Sequence, residues 1–349
     1  MADHENPNLG QTEKAALDDV DVLVIGAGLA GCSLGFLMRR SGRSVLAVEL
    51  RDASAKDKLC GGLLTRKALE LFGAIYGKDA LARLGAVKID GIDKVLFNRH
   101  LLSPVTAMAL PRRRLDGFCL DAYLGAGGML ADRMSLRSID EQGHVARFVN
   151  LCTREERCIH YGVLVGADGA CSKVRRLVTG HMGPICVSAE GRVPVREGHV
   201  VVAYQPGYSG LYWYIPNGDD ANVGCLFHGL SAGECCEMLR DFCAAEGHRL
   251  DKLRCAPIPT GEDVLLAAGE DIWLAGDAAG LASKYDGSGM HFALASAHAL
   301  SAALCGGESF EDAMAPYLRG LACTAETADK SYFAAALRIA LSGSIRCQE

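Results

Sequence analysis

The chain has 349 residues, half of them hydrophobic, and a net charge of −6. That is enough apolar material for one large unit or two intimate domains. Mild acidity without a basic, aromatic-laced stripe argues against nucleic-acid binding. Fifteen cysteines occur without a C-x-x-C pair or a zinc or iron–sulfur spacing, so no metal site is expected.

Met1–Asp19 is polar and acidic, contains Pro7 and Gly10, and is expected to be a disordered tail. It has neither the basic start nor the apolar core of a signal peptide. The cysteines therefore read as reduced thiols of a cytoplasmic protein rather than a disulfide framework. Val20–Met38 approaches membrane-span length, but its glycines and strand pattern mark it as folded core.

Val20–Ile25 is a short apolar run rich in β-branched residues, the pattern of a buried parallel strand. Gly26-Ala27-Gly28-Leu29-Ala30-Gly31 follows as a G-x-G-x-x-G. Leu34, Leu37 and Met38 then recur at helical spacing until Gly42. Ser44–Val48 reads as a second strand with Glu49 at its end. Gly26 allows a tight turn, Gly28 lets backbone approach a pyrophosphate, and Gly31 lets the helix pack on the strand. The helix N-terminus offers free N–H groups and a positive dipole end to phosphates. Glu49 is the acid a dinucleotide fold uses to accept ribose hydrogen bonds.

Arg51–Lys58 reads as a charged loop, and Lys58-Leu59-Cys60-Gly61-Gly62 as backbone passing close to a ligand. Thr65 can cap a helix over Arg66–Phe72, and a short helix is expected at Ala80–Leu84. Val87–His100 alternates and reads as a strand. Pro111–Asp116 opens another helix. Ser135–Asp140, Val145–Cys152 and Cys158–Tyr161 read as a meander, and Val163–Val165 as a separate buried strand leading into Gly166-Ala167-Asp168-Gly169. From Ile185 to Ile258 the texture is that of an inserted sheet, with strands at Gly198–Gln205, Leu211–Ile215 and Ala221–Phe227 and an amphipathic helix at Glu234–Glu246. Asp271–Ala275 is again a buried strand, ending in Gly276-Asp277-Ala278-Ala279-Gly280. Gly287-Ser288-Gly289 precedes a helix over Met290–Leu304, and two more helices are expected before the end.

Three glycine-rich turns thus each follow a short apolar strand. In an open parallel sheet such strand ends gather around one extended ligand. Asp168 and Asp277 beside a diphosphate make sense only if they bind hydroxyls or orient backbone, and a flavin dinucleotide has a hydroxyl-bearing ribitol. Together these motifs resemble the flavoprotein hydroxylase superfamily. Gly166–Gly169 with Ser172, Val174 and Arg175 is similar to its GADG motif, Gly276–Gly280 to its GDAAG motif, and Arg112 with Leu115-Asp116 to its R-x-x-[FL]-D helix start. The likeness runs from Val20 to about Leu304.

Within that superfamily two stretches resemble the geranylgeranyl reductase group and its CbrA-like branch. Lys58–Leu64 is similar to a K-P-C-G-G stretch, and Leu211-Tyr212-Trp213-Tyr214-Ile215-Pro216 to a Y-x-W-x-F-P substrate motif, with Asn222-Val223-Gly224 after it. Leu211 in place of Tyr and Lys284 in place of Pro depart from the group.

The resemblance implies an α/β fold: a discontinuous Rossmann-type FAD-binding domain (20–86, 106–184 and 264–349, with the C-terminal helices) and an inserted antiparallel sheet domain for substrate (87–105 and 185–263). FAD would be held by Gly26, Gly28, Leu29, Ala30, Gly31, Glu49, Leu50, Arg51, Gly61, Gly62, Arg112, Asp168, Gly169, Gly276, Asp277, Gly287, Gly289 and Met290. Trp213, Tyr214, Pro216 and Tyr285 would meet an apolar substrate. Cys60 is the candidate proton donor, with Lys58 close enough to favour its thiolate; the alternative is a thiol packed in a glycine turn. The sequence has one dinucleotide fingerprint, since Gly125–Gly128 follows a helix. Electrons therefore come from transient NAD(P)H or a ferredoxin-like protein. The expected reaction reduces a carbon–carbon double bond, and an apolar substrate admits peripheral membrane contact. An oxygen-using monooxygenase or halogenase on the same FAD domain is the alternative, and a flavin-binding redox sensor a third.

Overall fold

A computed structural model of the chain describes residues 18–96, 99–205, 207–250, 252–319 and 321. The expected tail, apart from its last two residues, and the last expected helix lie outside them. Two sheets organise the described residues. The first runs, in spatial order, Met129–Ala131, Val45–Val48, Asp19–Ile25, Glu156–Gly166, Val145–Asn150 and Met134–Asp140, with Ile272–Leu274 also pairing Glu156–Gly166. Its central pairings are parallel, as a strand–helix–strand connection requires. Val20, Val22, Leu23 and Val24 are buried, so the apolar run is covered on both faces.

The helix Leu29–Arg40 packs on this sheet, and the helices Arg112–Gly125 and Met290–Leu304 pack on that helix in turn. A Cβ at Gly31 would lie 2.0 Å from the Gly26 carbonyl oxygen, so only glycine lets the first helix start this close to its strand. Tyr123 fixes the next layer. Its hydroxyl donates to the Val45 and Met129 carbonyls and accepts from Ala47 N–H, at 2.6–3.1 Å.

Two expectations change in detail. Val163–Val165 is no separate strand: Glu156–Gly166 is continuous, antiparallel to Val145–Asn150 at its start and parallel to Asp19–Ile25 and Ile272–Leu274 further on. The region after Val87 is a hairpin of Val87–Leu96 and Arg99–Ala109, with a register shift between Ile89 and Gly91.

The second sheet runs Arg254–Pro259, Ile185–Pro194, Asp220–Phe227, Gly210–Pro216, Val200–Tyr204, Val87–Leu96, Arg99–Ala109 and Leu63–Thr65. It is antiparallel except between Val200–Tyr204 and Val87–Leu96. The helix Ala232–Ala245, opened by a Ser231–Glu234 capping box, covers one face. There Tyr212 stacks on Phe242 with ring centroids 4.2 Å apart, above Cys225, Phe227, Cys235 and Leu239. Among the described residues no helix is long and apolar enough to cross a membrane, and no three His, Cys, Asp or Glu side chains gather as metal ligands.

Candidate cofactor and substrate site

The three glycine-rich strand ends meet. A Cβ at Gly26, whose φ is +105°, would lie 2.4 Å from the Ala167 carbonyl oxygen. One at Gly276 would lie 3.1 Å from Ala30 Cβ. Leu29 and Ala30 are buried, and among the described residues Lys56 Nζ, at 3.7 Å, is the side-chain atom that approaches the Cβ position of Gly28. The helix start therefore presents open N–H groups, with no side chain capping them.

Glu49 lies beside this turn. Its carboxylate accepts from Ala27 N–H (3.0 Å) and Arg51 N–H (3.1 Å) and pairs with Lys56. Burial alone would raise its pKa. The Lys56 charge and hydrogen bond, with the two N–H groups, bring it below the ordinary value. Leu50 next to it is 53% exposed, as is much of Arg51. Asp168 turns the other way: it accepts from Ser172 Oγ (2.6 Å), Lys173 N–H (2.6 Å) and Val174 N–H (3.2 Å). Of the two roles open to this acid, its bonds are those of a backbone-orienting residue. Gly169 follows with φ +87°. Asp277 pairs with Lys58 Nζ at 2.6 Å, across 219 positions of sequence. Lys58 thus faces Asp277. Arg112 is the cation whose electrostatics involve the Cys60 sulfur. Arg112 is 4% exposed and binds Asp116 through Nη2 at 2.8 Å. Burial opposes its charge, but Asp116 and Cys60 outweigh that and hold its pKa above the ordinary value.

The uncovered face of the second sheet looks onto this centre. Registered cross-strand pairs place Arg254, Glu190, Gly224 and Trp213 in one row on one face. Trp213 lies over Gly224, where a Cβ would come 2.2 Å from the ring, and its Nε1–H donates to Asn222 Oδ1 at 2.6 Å. A Cβ at Gly61 would lie 2.4 Å from Ile215 Cδ1 and 3.4 Å from Trp213 Nε1. One at Gly287 would lie 3.2 Å from Leu226 and 3.5 Å from Ile258. Both glycine loops that the sequence marks as ligand-lining therefore abut the same face. Gly62 (φ +75°) passes the Leu110 carbonyl, and Gly289 leads into buried Met290. Pro216 ends the Trp213 strand, buried, and pairs with Ala221 of the helix-covered cluster, so it lies off this face. Tyr285 occupies the turn closed by Ser283 and Ser288.

Tyr214 does not join this face. Strand alternation sends it to the helix-covered side, where its hydroxyl accepts from Arg196 and Glu197 N–H groups at 2.8 and 3.1 Å. Trp213 is joined on this face by Ile215, Leu226 and Ile258 instead.

Comparison with known proteins follows the same lines. Residues 19–201 match the family model described as an FAD binding domain. The chain belongs to this FAD-binding family. It is an FAD-dependent oxidoreductase of the flavoprotein hydroxylase superfamily. Geranylgeranyl diphosphate reductase of Rhodobacter capsulatus is 26% identical over 291 residues, 78% of this chain and 72% of that protein. A kynurenine 3-monooxygenase of Xanthomonas oryzae is 28% identical over 168 residues, 44% of this chain and 36% of that protein. A geranylgeranyl bacteriochlorophyll reductase-like structure from Thermoplasma acidophilum has a TM-score of 0.73 at 18% identity, covering 87% of this chain and 84% of that one.

The residues present suit FAD. An open helix N-terminus over Gly28 fits a diphosphate, and acids at Glu49 and Asp277 flank it along the strand ends. Two groups escaped the sequence reading. Lys56, in a loop read only as charged, contacts Glu49; its sole local signal is a basic residue seven positions after the acid. Glu190 is an acid in the middle of the strand Ile185–Pro194 and is 3% exposed. An acid within a strand flanked by small residues is the signal that marks it.

Proposed function

We propose that this FAD-dependent oxidoreductase reduces a carbon–carbon double bond of an apolar, isoprenoid-like substrate. The observation that carries the reading is the apolar face of Trp213, Ile215, Leu226 and Ile258 abutting the Gly61 and Gly287 loops, the first of which bears Cys60. In this assignment Glu49 accepts from the adenosine ribose, with Leu50 and Arg51 at its side. The Gly26–Gly31 turn and the helix beginning at Leu29 meet the diphosphate, and Asp277 accepts from the ribitol. Gly61, Gly62, Gly287, Gly289 and Met290 flank the ring, while Asp168, Gly169, Gly276 and Arg112 hold the surrounding backbone and the Cys60 loop. FAD, when bound, supplies hydride-transfer chemistry. Trp213, kept flat by Asn222 and Gly224, orients an extended apolar chain, with Tyr285 at the margin. Cys60 holds a proton at Sγ for the carbon that does not receive hydride. NAD(P)H or a ferredoxin-like protein reduces the enzyme in passing.

The similarity to kynurenine 3-monooxygenases supports a second reading, oxygen-dependent hydroxylation of a small aromatic or apolar substrate. Anaerobic reduction of the purified protein followed by reoxidation separates the two. Reoxidation by polyprenyl substrates without oxygen supports the reductase. Hydroxylated product formed only with oxygen sinks it in favour of the monooxygenase.

A further inference from the structure

The site-facing side of the second sheet sets the apolar Trp213, Ile215, Leu226 and Ile258 beside a few polar side chains, Ser188, Asn222 and Arg254 among them, and one buried acid. Glu190 stands between Arg254 and Gly224 in the cross-strand row that ends at Trp213. Its Oε1 accepts from Arg254 Nη2 at 3.1 Å, and Arg254 is tied in turn to Asp57 at 2.8 Å. Its Oε2 is buried and makes no hydrogen bond of ordinary length, although the Asn222 side chain stands beside the carboxylate. A buried carboxylate oxygen left unmatched costs stability, so it calls for a partner that arrives from outside the chain. Glu190's immediate neighbour Gly191 points to the opposite, helix-covered side, where a Cβ would meet Leu250 and Leu253. Glu190 itself therefore faces the Cys60 and Gly287 loops. Burial pushes its carboxyl above the ordinary range, against the pull of Asn222 and Arg254.

We propose that Glu190 is the polar anchor of the substrate chamber, its Oε2 accepting a hydrogen bond from a hydroxyl or amino group on an otherwise apolar substrate. The inference rests on reading this face as the substrate face, and it deepens that reading. A fully hydrocarbon ligand leaves Oε2 unmatched, and a diphosphate head meets like charge there. The chamber therefore selects an alcohol or amine whose apolar body runs along Trp213, Ile215, Leu226 and Ile258.

The test uses FAD-loaded protein at pH 8 and two matched pairs: farnesol with its methyl ether, and benzyl alcohol with its methyl ether. Binding is read from perturbation of the flavin spectrum and by calorimetry. The ether keeps the oxygen but loses the donor. Wild type should bind the alcohol about tenfold more tightly than the ether, the worth of one hydrogen bond to a charged acceptor. Glu190→Leu should abolish that preference. Glu190→Gln, which keeps size and fold, must turn its carbonyl to Arg254 and its NH2 to the chamber. That donor serves the ether as well as the alcohol, so the preference collapses while FAD content stays at the wild-type level. Equal binding of alcohol and ether by wild type overturns the proposal, as does an unchanged preference in Glu190→Gln. If only the benzyl pair binds and shows the preference, the isoprenoid assignment falls and the anchor stands. Failure of all four ligands to bind overturns the anchor.

Discussion

Gly61 brings the Cys60 loop against the second sheet, and its replacement by alanine measures that contact. Its φ is not in the left-handed region, so the added methyl acts through space alone. Its Cβ would lie 2.4 Å from Ile215 Cδ1. Ordinary carbon contacts lie at about 3.5–4.0 Å, so roughly 1.1–1.6 Å must be found by turning a buried Ile215 or displacing the Cys60 loop. Overpacking of this size costs about 1–3 kcal/mol. Ile215→Ala should relieve it, so the Gly61→Ala/Ile215→Ala pair should show a favourable coupling of about 0.5–3 kcal/mol in a double-mutant cycle. Denaturant unfolding gives the stabilities, and fluorescence titration of apoprotein with FAD shows whether the cofactor site moves as well. Additive effects within about 0.5 kcal/mol would refute the contact and, with it, the chamber drawn between these loops.

Cys60→Ser should lower substrate-linked reoxidation while FAD content and reduction by the donor stay near wild type; unchanged turnover makes the thiol a packing residue. A Cβ at Gly289 would lie 3.2 Å from Asp277 Oδ1, so Gly289→Val should loosen FAD and lower its reduction potential, read by dye-coupled photoreduction. His291 has its pKa lowered to about 4, by burial first and the Lys67 charge second, with Asp286 opposing. It is neutral when folded and protonated when unfolded below about 6.5, so its contribution is present above that pH and is lost as pH falls toward 4. His291→Gln should flatten that part of the stability profile in chemical denaturation, and an unaltered slope removes the residue from it.

What could be read from sequence was what local rules govern. Gly26, Gly28, Gly31 and Glu49 follow from one strand–turn–helix–strand unit, and the Met290–Leu304 helix has the bounds its pattern gives. Tyr214 departs from the substrate role that the motif implies because period-two alternation divides Leu211-Tyr212-Trp213-Tyr214-Ile215 between two faces. The strand Arg99–Ala109 was hidden by adjacent Leu101-Leu102 and by Pro104, which break the alternation near the register shift. The pairs Lys58–Asp277 and Arg254–Asp57 join positions about two hundred residues apart, and no local pattern announces them.

Those distant pairs expose a charge problem that the loop solves. Glu49 and Asp277 flank a groove suited to a diphosphate, which gathers like charges along one line. Lys56-Asp57-Lys58 answers in three consecutive residues: Lys56 pairs with Glu49, Asp57 with Arg254 of the second sheet, and Lys58 with Asp277. With FAD bound, ribose and ribitol hydroxyls can donate to the acids, leaving the ammonium groups to offset the phosphates; Lys56 is already the nearest group to Gly28. Each partly exposed lysine is worth about 1 kcal/mol in such a setting, or roughly fivefold in affinity. Lys56→Met and Lys58→Met should therefore each raise the FAD dissociation constant about fivefold at low salt, and the double variant should lose much of the wild type's salt dependence. The contrary possibility is that the lysines compete with FAD for the acids. Tighter binding by Lys58→Met would establish that, and the loop would then be a barrier to the cofactor rather than its counter-charge.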